Sequence, residues 1–229
     1  MSSLGPPSEP RSRAELLERA SGLAGLTLGE IAVELGVALP EDLRRYKGAC
    51  GQLLEQALGS RAASRAGPDF PELGVEVKTL PVDSRGKILE STFVCTIALN
   101  QVGDLEWEQS PVKKKLDCVL WLPVEGVRSI ALGARRVGQA LLWSPSPEQE
   151  ADLRFDWEEL SGLIGRGRLD EITGHLGRFL QVRPKAANGS VRRRAFREGS
   201  GQVAELPRGF YLRAAFTARI VREHYALSG

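Results

Sequence analysis

Three charged side chains carry the chemistry in this chain. In Gly74-Val75-Glu76-Val77-Lys78-Thr79 the valines alternate with Glu76 and Lys78, and Pro68-Asp69 lies just upstream. A period of two is that of a strand with one buried face, so Glu76 and Lys78 project together from the other. If Asp69 stands on the turn or strand leading in, its carboxylate can join Glu76 around one hard cation. Two carboxylates and the Val77 carbonyl are the oxygen donors that Mg²⁺ accepts while keeping several waters. Lys78 can then orient or deprotonate one such water, and the whole is the layout of a metal-dependent nuclease site. A solvated edge strand accounts for the same letters, since Asp, Glu and Lys are common. The β-branched neighbours favour a strand under either reading.

The frame around these residues is an ordinary globular one. With 229 residues, 42% hydrophobic and 26% charged, the chain can bury one sizeable core or two lobes. No run approaches the roughly 18 apolar residues of a membrane span. The start, Met1 to Glu15, is polar and proline-bearing rather than a signal sequence, so no membrane is expected and the cytoplasm is the expected location. Cys50, Cys95 and Cys118 are widely spaced and odd in number, which predicts reduced thiols rather than a zinc site. His175 and His224 lie far apart, which gives a His-based zinc or hydrolase mechanism little support. Charge is unevenly spread. From Gln181 onward ten Lys and Arg face three Asp and Glu, a balance of +7, while the remainder has 21 against 26, a balance of −5. A polyanion would bind the basic end, where Arg192-Arg193-Arg194 and Arg197 cluster, although a solvated charge run reads the same way.

Spacing predicts the elements that must position these groups. Arg13 to Gly36 reads as two helices split near Gly25, with Thr27 and Glu30 forming a capping box for the second. A third helix is expected from Glu41 to Leu58, ending at Gly59. Strands are expected at Gly74 to Leu80, Ser91 to Ala98 and Val119 to Val124, with a turn at Asp83-Ser84-Arg85-Gly86. A helix from Ser146-Pro147 to about Leu163 carries Leu153, Trp157 and Leu160 inward and its acidic residues on a solvated face. A short helix from Arg168 to His175 leads to a strand at Phe179 to Val182 and a loop at Arg183-Pro184-Lys185. Ala187 to Gly201, rich in Gly, Ser and Arg, is expected to be a flexible loop.

Several segments together resemble a known family. They are Asp69-Phe70, Leu73 to Thr79, Pro81 to Ser84, Thr92 to Cys95, Val119 to Trp121, Pro123 to Gly126, Asp156 to Leu160, Arg183 to Asn188 and Leu206 to Leu212. In this order they resemble the MutH family of bacterial DNA mismatch repair endonucleases, which shares its nuclease core with type II restriction enzymes. The likeness covers nearly the whole chain except the first dozen residues and Gly189 to Glu205. It implies an α/β, restriction-endonuclease-like fold: a mixed β-sheet flanked by helices, with two lobes around a DNA-binding cleft. Residues 1–12 would be a flexible leader and 13–229 a single endonuclease domain, its N-terminal lobe catalytic and its C-terminal lobe reading DNA.

The resemblance also implies an activity. Family members nick the unmethylated strand of a hemimethylated GATC site, 5′ to the G, when a MutL-type activator responds to a MutS-type mismatch sensor. By this likeness Asp69, Glu76 and Lys78 match the catalytic motif, with Mg²⁺ on Asp69, Glu76 and Val77. Glu55 matches a further carboxylate near the metals, and Lys47 and Lys115 match basic residues near the site. Arg183, Pro184 and Lys185 match the base-reading loop, Tyr211 the sensor of the adenine N6 position, and Phe93 an aromatic that wedges into the base stack. The protein is expected to be a monomer on double-stranded DNA. The alternative is a type II restriction endonuclease of the same fold, cutting both strands. A third reading, a DNA-binding module with a decayed core, is opposed by the intact Asp69, Glu76 and Lys78.

Overall fold

Ser12 and Thr27 start the first two helices by one device: a side-chain oxygen accepts a backbone N–H that the first turn leaves unpaired. The computed structural model describes residues 7–40, 48–61, 67–185 and 192–227. Helix α1 spans Arg13–Gly22 and α2 spans Leu28–Leu35. The expected capping box is present, Glu30 returning a hydrogen bond to the Thr27 backbone. Helix α3 is Ala49–Ala57, shorter than expected. Gly48 precedes it at φ 102, a left-handed conformation that cannot continue a right-handed helix back through this position. The stretch 41–47 lies outside the described residues.

The remaining elements are β1 (Glu76–Val82), β2 (Thr92–Thr96), α4 (Pro111–Leu116), β3 (Val119–Glu125) and β4 (Leu141–Trp143). They continue as α5 (Pro147–Gly165), β5 (Leu180–Pro184), β6 (Arg193–Arg197), β7 (Gly201–Glu205), β8 (Arg208–Leu212) and α6 (Ala214–Leu227). Two compact units emerge. The first comprises Met1–Glu90, Asp117–Ser144 and Ile220–Gly229, the second Ser91–Leu116 and Pro145–Arg219.

The first unit holds a mixed sheet in the order β1-β3-β4, with β1 parallel to β3 and β4 antiparallel to it. Its helices flank this sheet. Leu16 and Ala20 of α1, Leu28 and Ile31 of α2 and Leu53 and Leu54 of α3 share one core with Val75, Val77, Leu120 and Leu122. The alternation of valines therefore does what the sequence predicts: it sends Val75 and Val77 into the core and leaves Glu76 and Lys78 on the other face. Strand β4 carries no alternating pattern long enough to be read from sequence.

The second unit is built on an antiparallel sheet, β2-β8-β5, with β6 and β7 as a separate hairpin. Several expectations are corrected here. The segment Arg168 to His175 forms only a 3₁₀ turn at Leu169–Glu171. The carbonyls that follow are taken by Arg213, whose guanidinium donates to Gly174, Leu176 and Gly177 at 2.7–2.9 Å. Arg183 and Pro184 belong to β5 rather than to a loop, and the Lys185 N–H donates to the Pro207 carbonyl at 2.7 Å. Finally, the described part of the expected flexible loop is the ordered hairpin β6–β7; 187–191 lie outside the described residues. The acidic side chains of α5 are not all solvated either. Asp156 is buried and accepts N–H bonds from Arg178, Phe179 and Leu180 at 2.8, 2.6 and 2.8 Å.

Candidate functional site

The geometry of the first unit brings Asp69 back to β1. Phe70 and Val75 exchange backbone hydrogen bonds at 2.9 and 3.1 Å, closing a tight turn whose last residue, Gly74, has φ 62. A side chain at Gly74 would strain that turn. The turn folds the chain back so that Asp69 stands beside β1, and its Oδ2 accepts the Val77 N–H at 2.8 Å. The Glu76 N–H donates the other way, to the Cys118 carbonyl in front of β3. Backbone groups of successive strand residues point to opposite edges. The N–H and carbonyl of Val77 therefore both face the free edge where the Asp69 carboxylate lies.

Glu76 and Lys78 share a face and form an ion pair, with side chains only 3% and 15% exposed. In the parallel register Glu76 stands opposite Val119 and Lys78 opposite the fully buried Trp121. The ion pair therefore sits against an apolar floor. In so dry a setting each charge depends on its neighbour, because removal of one leaves the other buried and uncompensated. Helix α3 is tied to the same place by its backbone. The Glu55 carbonyl accepts the Ser60 N–H, and the Ser60 hydroxyl donates to the Asp69 carbonyl, both at 2.9 Å.

Asp69, Glu76 and the Val77 carbonyl are the expected donors to a hard divalent cation. Among the described residues no group of three or more His, Cys, Asp and Glu is placed to hold a metal. The set expected from the sequence is two carboxylates and the Val77 carbonyl, all oxygen. That composition fits Mg²⁺, which is bound through one or two carboxylates and completes its shell with water and phosphate. Cys50, Cys95 and Cys118 are not joined by disulfides, and burial pushes the Cys50 thiol up to about 11, far from nucleophilic use at neutral pH.

A second constellation lies within the second unit. Phe93 and Tyr211 face each other across β2 and β8, their rings edge to face at 5.3 Å between centroids. The Arg183 guanidinium lies over the Tyr211 ring at 5.8 Å, and the Lys185 ammonium over the Phe93 ring at 3.7 Å. Four sequence-predicted residues, three on strands and Lys185 just after β5, thus lie together, and Arg183 and Lys185 are exposed there. Pro184 stands opposite Arg208 on β8, with its own side chain exposed. Two residues escaped sequence reasoning. Thr96 accepts from Lys185 Nζ at 2.9 Å, and it reaches this face because a bulge between Phe93 and Cys95 shifts the register to pair it with Gly209. A Cβ at Gly209 would stand 2.9 Å from the Phe93 ring and 3.2 Å from that of Tyr211, so only glycine leaves the two aromatics their positions. Neither a bulge nor a cross-strand void leaves a local signature.

Lys115 is buried on α4 in the second unit, whereas Asp69, Glu76, Lys78 and Glu55 belong to the first. Lys47 lies outside the described residues.

Comparisons with known proteins converge on one family. A family model described as the DNA mismatch repair enzyme MutH matches residues 58–156, a span containing Asp69, Glu76, Lys78 and Phe93. The DNA mismatch repair protein MutH of Vibrio cholerae serotype O1 is 52% identical over 217 residues, covering 95% of this chain and 98% of that one. MutH of Serratia proteamaculans is 49% identical over 225 residues and 98% of both chains, and that of Klebsiella pneumoniae 50% identical over 220 residues, 96% of this chain and 95% of its own.

Proposed function

The chain belongs to the MutH family of DNA mismatch repair enzymes, and on that premise we propose that it is a Mg²⁺-dependent endonuclease nicking the unmethylated strand of hemimethylated GATC sites, 5′ to the G. The observation that carries this reading is the Asp69 carboxylate seated on the Val77 N–H beside the Glu76–Lys78 pair. Asp69, Glu76 and the Val77 carbonyl would hold the cation. Bound there, Mg²⁺ supplies polarisation of the phosphoryl group and a more acidic water. The residues do the remaining work. The Val77 N–H fixes the Asp69 carboxylate, and Lys78, held by Glu76, keeps a positive charge where it can orient the attacking water and stabilise charge developing on phosphate oxygens. Glu55 adds a carboxylate near the metals, and Lys47 and Lys115 add basic groups that contact DNA.

Sequence reading falls to Arg183, Pro184 and Lys185, with Phe93 as the wedge and Tyr211 as the methyl sensor. The enzyme acts as a monomer in the bacterial cytoplasm, under a MutL-type activator and a MutS-type sensor. No described helix is long and apolar enough to cross a membrane. The dimeric restriction-enzyme alternative is not favoured by relatives of about half identity over nearly the whole chain. A plasmid with one hemimethylated GATC site tests the reading. Open circles formed with Mg²⁺ and lost on chelation support it, whereas linear product transfers the assignment to the restriction enzyme.

Lys185→Ala and Arg183→Ala are each expected to narrow the preference for GATC over one-base variants by about 1–3 kcal/mol, the worth of one good base contact. Thr96 holds Lys185 in the resting protein, so the lysine is already gathered at the cluster. Affinity lost equally on all sequences would make these residues phosphate contacts instead.

Tyr211→Phe is expected to change the ratio of nicking on unmethylated, hemimethylated and fully methylated duplexes more than it changes turnover on the best of them. The substitution removes the hydroxyl and keeps the ring that packs on Phe93. An unaltered ratio across the three substrates would reduce Tyr211 to packing.

A further inference from the structure

Lys185 is fixed at both ends. Its backbone N–H donates to the Pro207 carbonyl at 2.7 Å, and its ammonium donates to Thr96 Oγ1 at 2.9 Å while lying 3.7 Å from the centre of the Phe93 ring. Thr96 is on β2 and Lys185 follows β5, the two strands that flank β8, so the bond links the outer strands of this sheet. Strand alternation alone would not bring Thr96 to this bond. Phe93 and Thr96 are three residues apart and in a regular strand would point to opposite faces. The bulge between Phe93 and Cys95 takes up one residue, pairing Cys95 with the buried Phe210 and Thr96 with Gly209. Thr96 thereby joins Phe93 and Tyr211 on one face, and Arg183 stands opposite the same Gly209 from β5. Gly209 places no side chain between them.

A lysine side chain is flexible, and its ammonium carries three N–H donors that can serve different acceptors at once. The bond to Thr96 uses one of them and restricts where the others point. From this geometry we infer that Thr96 is a positioning residue for sequence discrimination. Its hydroxyl holds the Lys185 ammonium in the orientation from which it donates to guanine, and the bond persists when duplex DNA is bound. Thr96 itself reads no base. Phe93 has the task of entering the base stack, whereas the place of Thr96 is set by backbone pairing with β8 and does not depend on that movement. The inference rests on the base-reading role proposed for Lys185.

Equilibrium binding of the full chain to GATC duplexes and to duplexes with one base of the site changed, with Ca²⁺ replacing Mg²⁺ to prevent cleavage, tests it. Thr96→Val keeps the β-branched shape of an exposed strand residue and removes the acceptor. It should lower the preference for GATC about fivefold, the net worth of one hydrogen bond. Thr96→Ser retains the hydroxyl and should keep most of the preference. In a Lys185→Ala background Thr96→Val should change the preference no further, because it acts through the lysine. A merely structural role would instead lower the melting temperature and weaken discrimination in both backgrounds alike. The proposal is overturned by a loss that persists without Lys185, by an unchanged preference in Thr96→Val, or by a raised one, which would mean that Thr96 holds the lysine away from the base. If Lys185→Ala weakens the preference and Thr96→Val does not, the role of Thr96 falls alone. If wild type shows no preference, or Lys185→Ala leaves it intact, the base-reading role of Lys185 falls and takes this inference with it.

Discussion

Replacing Asp69, Glu76 or Lys78 by alanine is expected to lower the rate of nicking by about 10³-fold or more, the loss of several kcal/mol of transition-state stabilisation. Duplex affinity in Ca²⁺ should stay close to that of wild type, because base reading is assigned to residues of the second unit. Each alanine also has a structural cost that must be separated from the chemistry. Without Asp69 the Val77 N–H loses its acceptor, and without Glu76 the Lys78 ammonium is left in a setting only 15% exposed. Asp69→Asn and Glu76→Gln make the separation. Both keep an oxygen acceptor of the same reach, so the hydrogen bonds to the Val77 N–H and to Lys78 persist, while each removes one negative charge from the proposed metal site and Glu76→Gln also leaves the Lys78 charge uncompensated. Single-turnover nicking with Mg²⁺, alongside thermal unfolding, distinguishes the two effects. The assignment fails if any two of the three alanine variants still nick at the wild-type rate.

The part of this site that was legible in the sequence is the part governed by local periodicity. Two-residue alternation set Glu76 and Lys78 on one face of β1, and the structure keeps them there. The Thr27–Glu30 and Ser146–Gln149 caps are likewise local, each linking residues three apart, so the starts of α2 and α5 could be placed from letters alone. What could not be read depends on the chain meeting itself. Thr96 serves Lys185 only because a bulge moves it by one register step. The hairpin β6–β7 reads as a loose loop in the sequence because its Gly, Ser and Arg content resembles disorder. Its order comes from Ala195 in the core and Arg197 on Asp170, contacts made at a distance in sequence. Resemblance supplied Phe93, Arg183, Lys185 and Tyr211 as separate residues; the packing of all four into one cluster is visible only in the fold.

Asp156→Ala is expected to destabilise the second unit by about 3 kcal/mol or more, the largest stability effect anticipated for any single site considered. The sequence places this carboxylate among the acids of α5, where solvent is the default neighbour. Its real partners are three successive backbone N–H groups, Arg178, Phe179 and Leu180, where the chain enters β5. A charged acceptor to several N–H donors is strong, and its deletion leaves the donors of a mostly buried segment unsatisfied. β5 carries Arg183, and Lys185 directly follows it, so the loss should spread to the face proposed to read DNA. For a protein of this size the melting temperature should fall by roughly 6–12 °C. Asp156→Asn keeps one acceptor oxygen and should lose less. The expected pattern in DNA binding follows from the same geometry: below its melting temperature the alanine variant should lose GATC preference through disorder of β5, while retaining a substantial part of its non-specific affinity. A variant that melts with wild type would mean that water replaces the carboxylate at all three N–H groups, and Asp156 would then not be the residue that fixes β5.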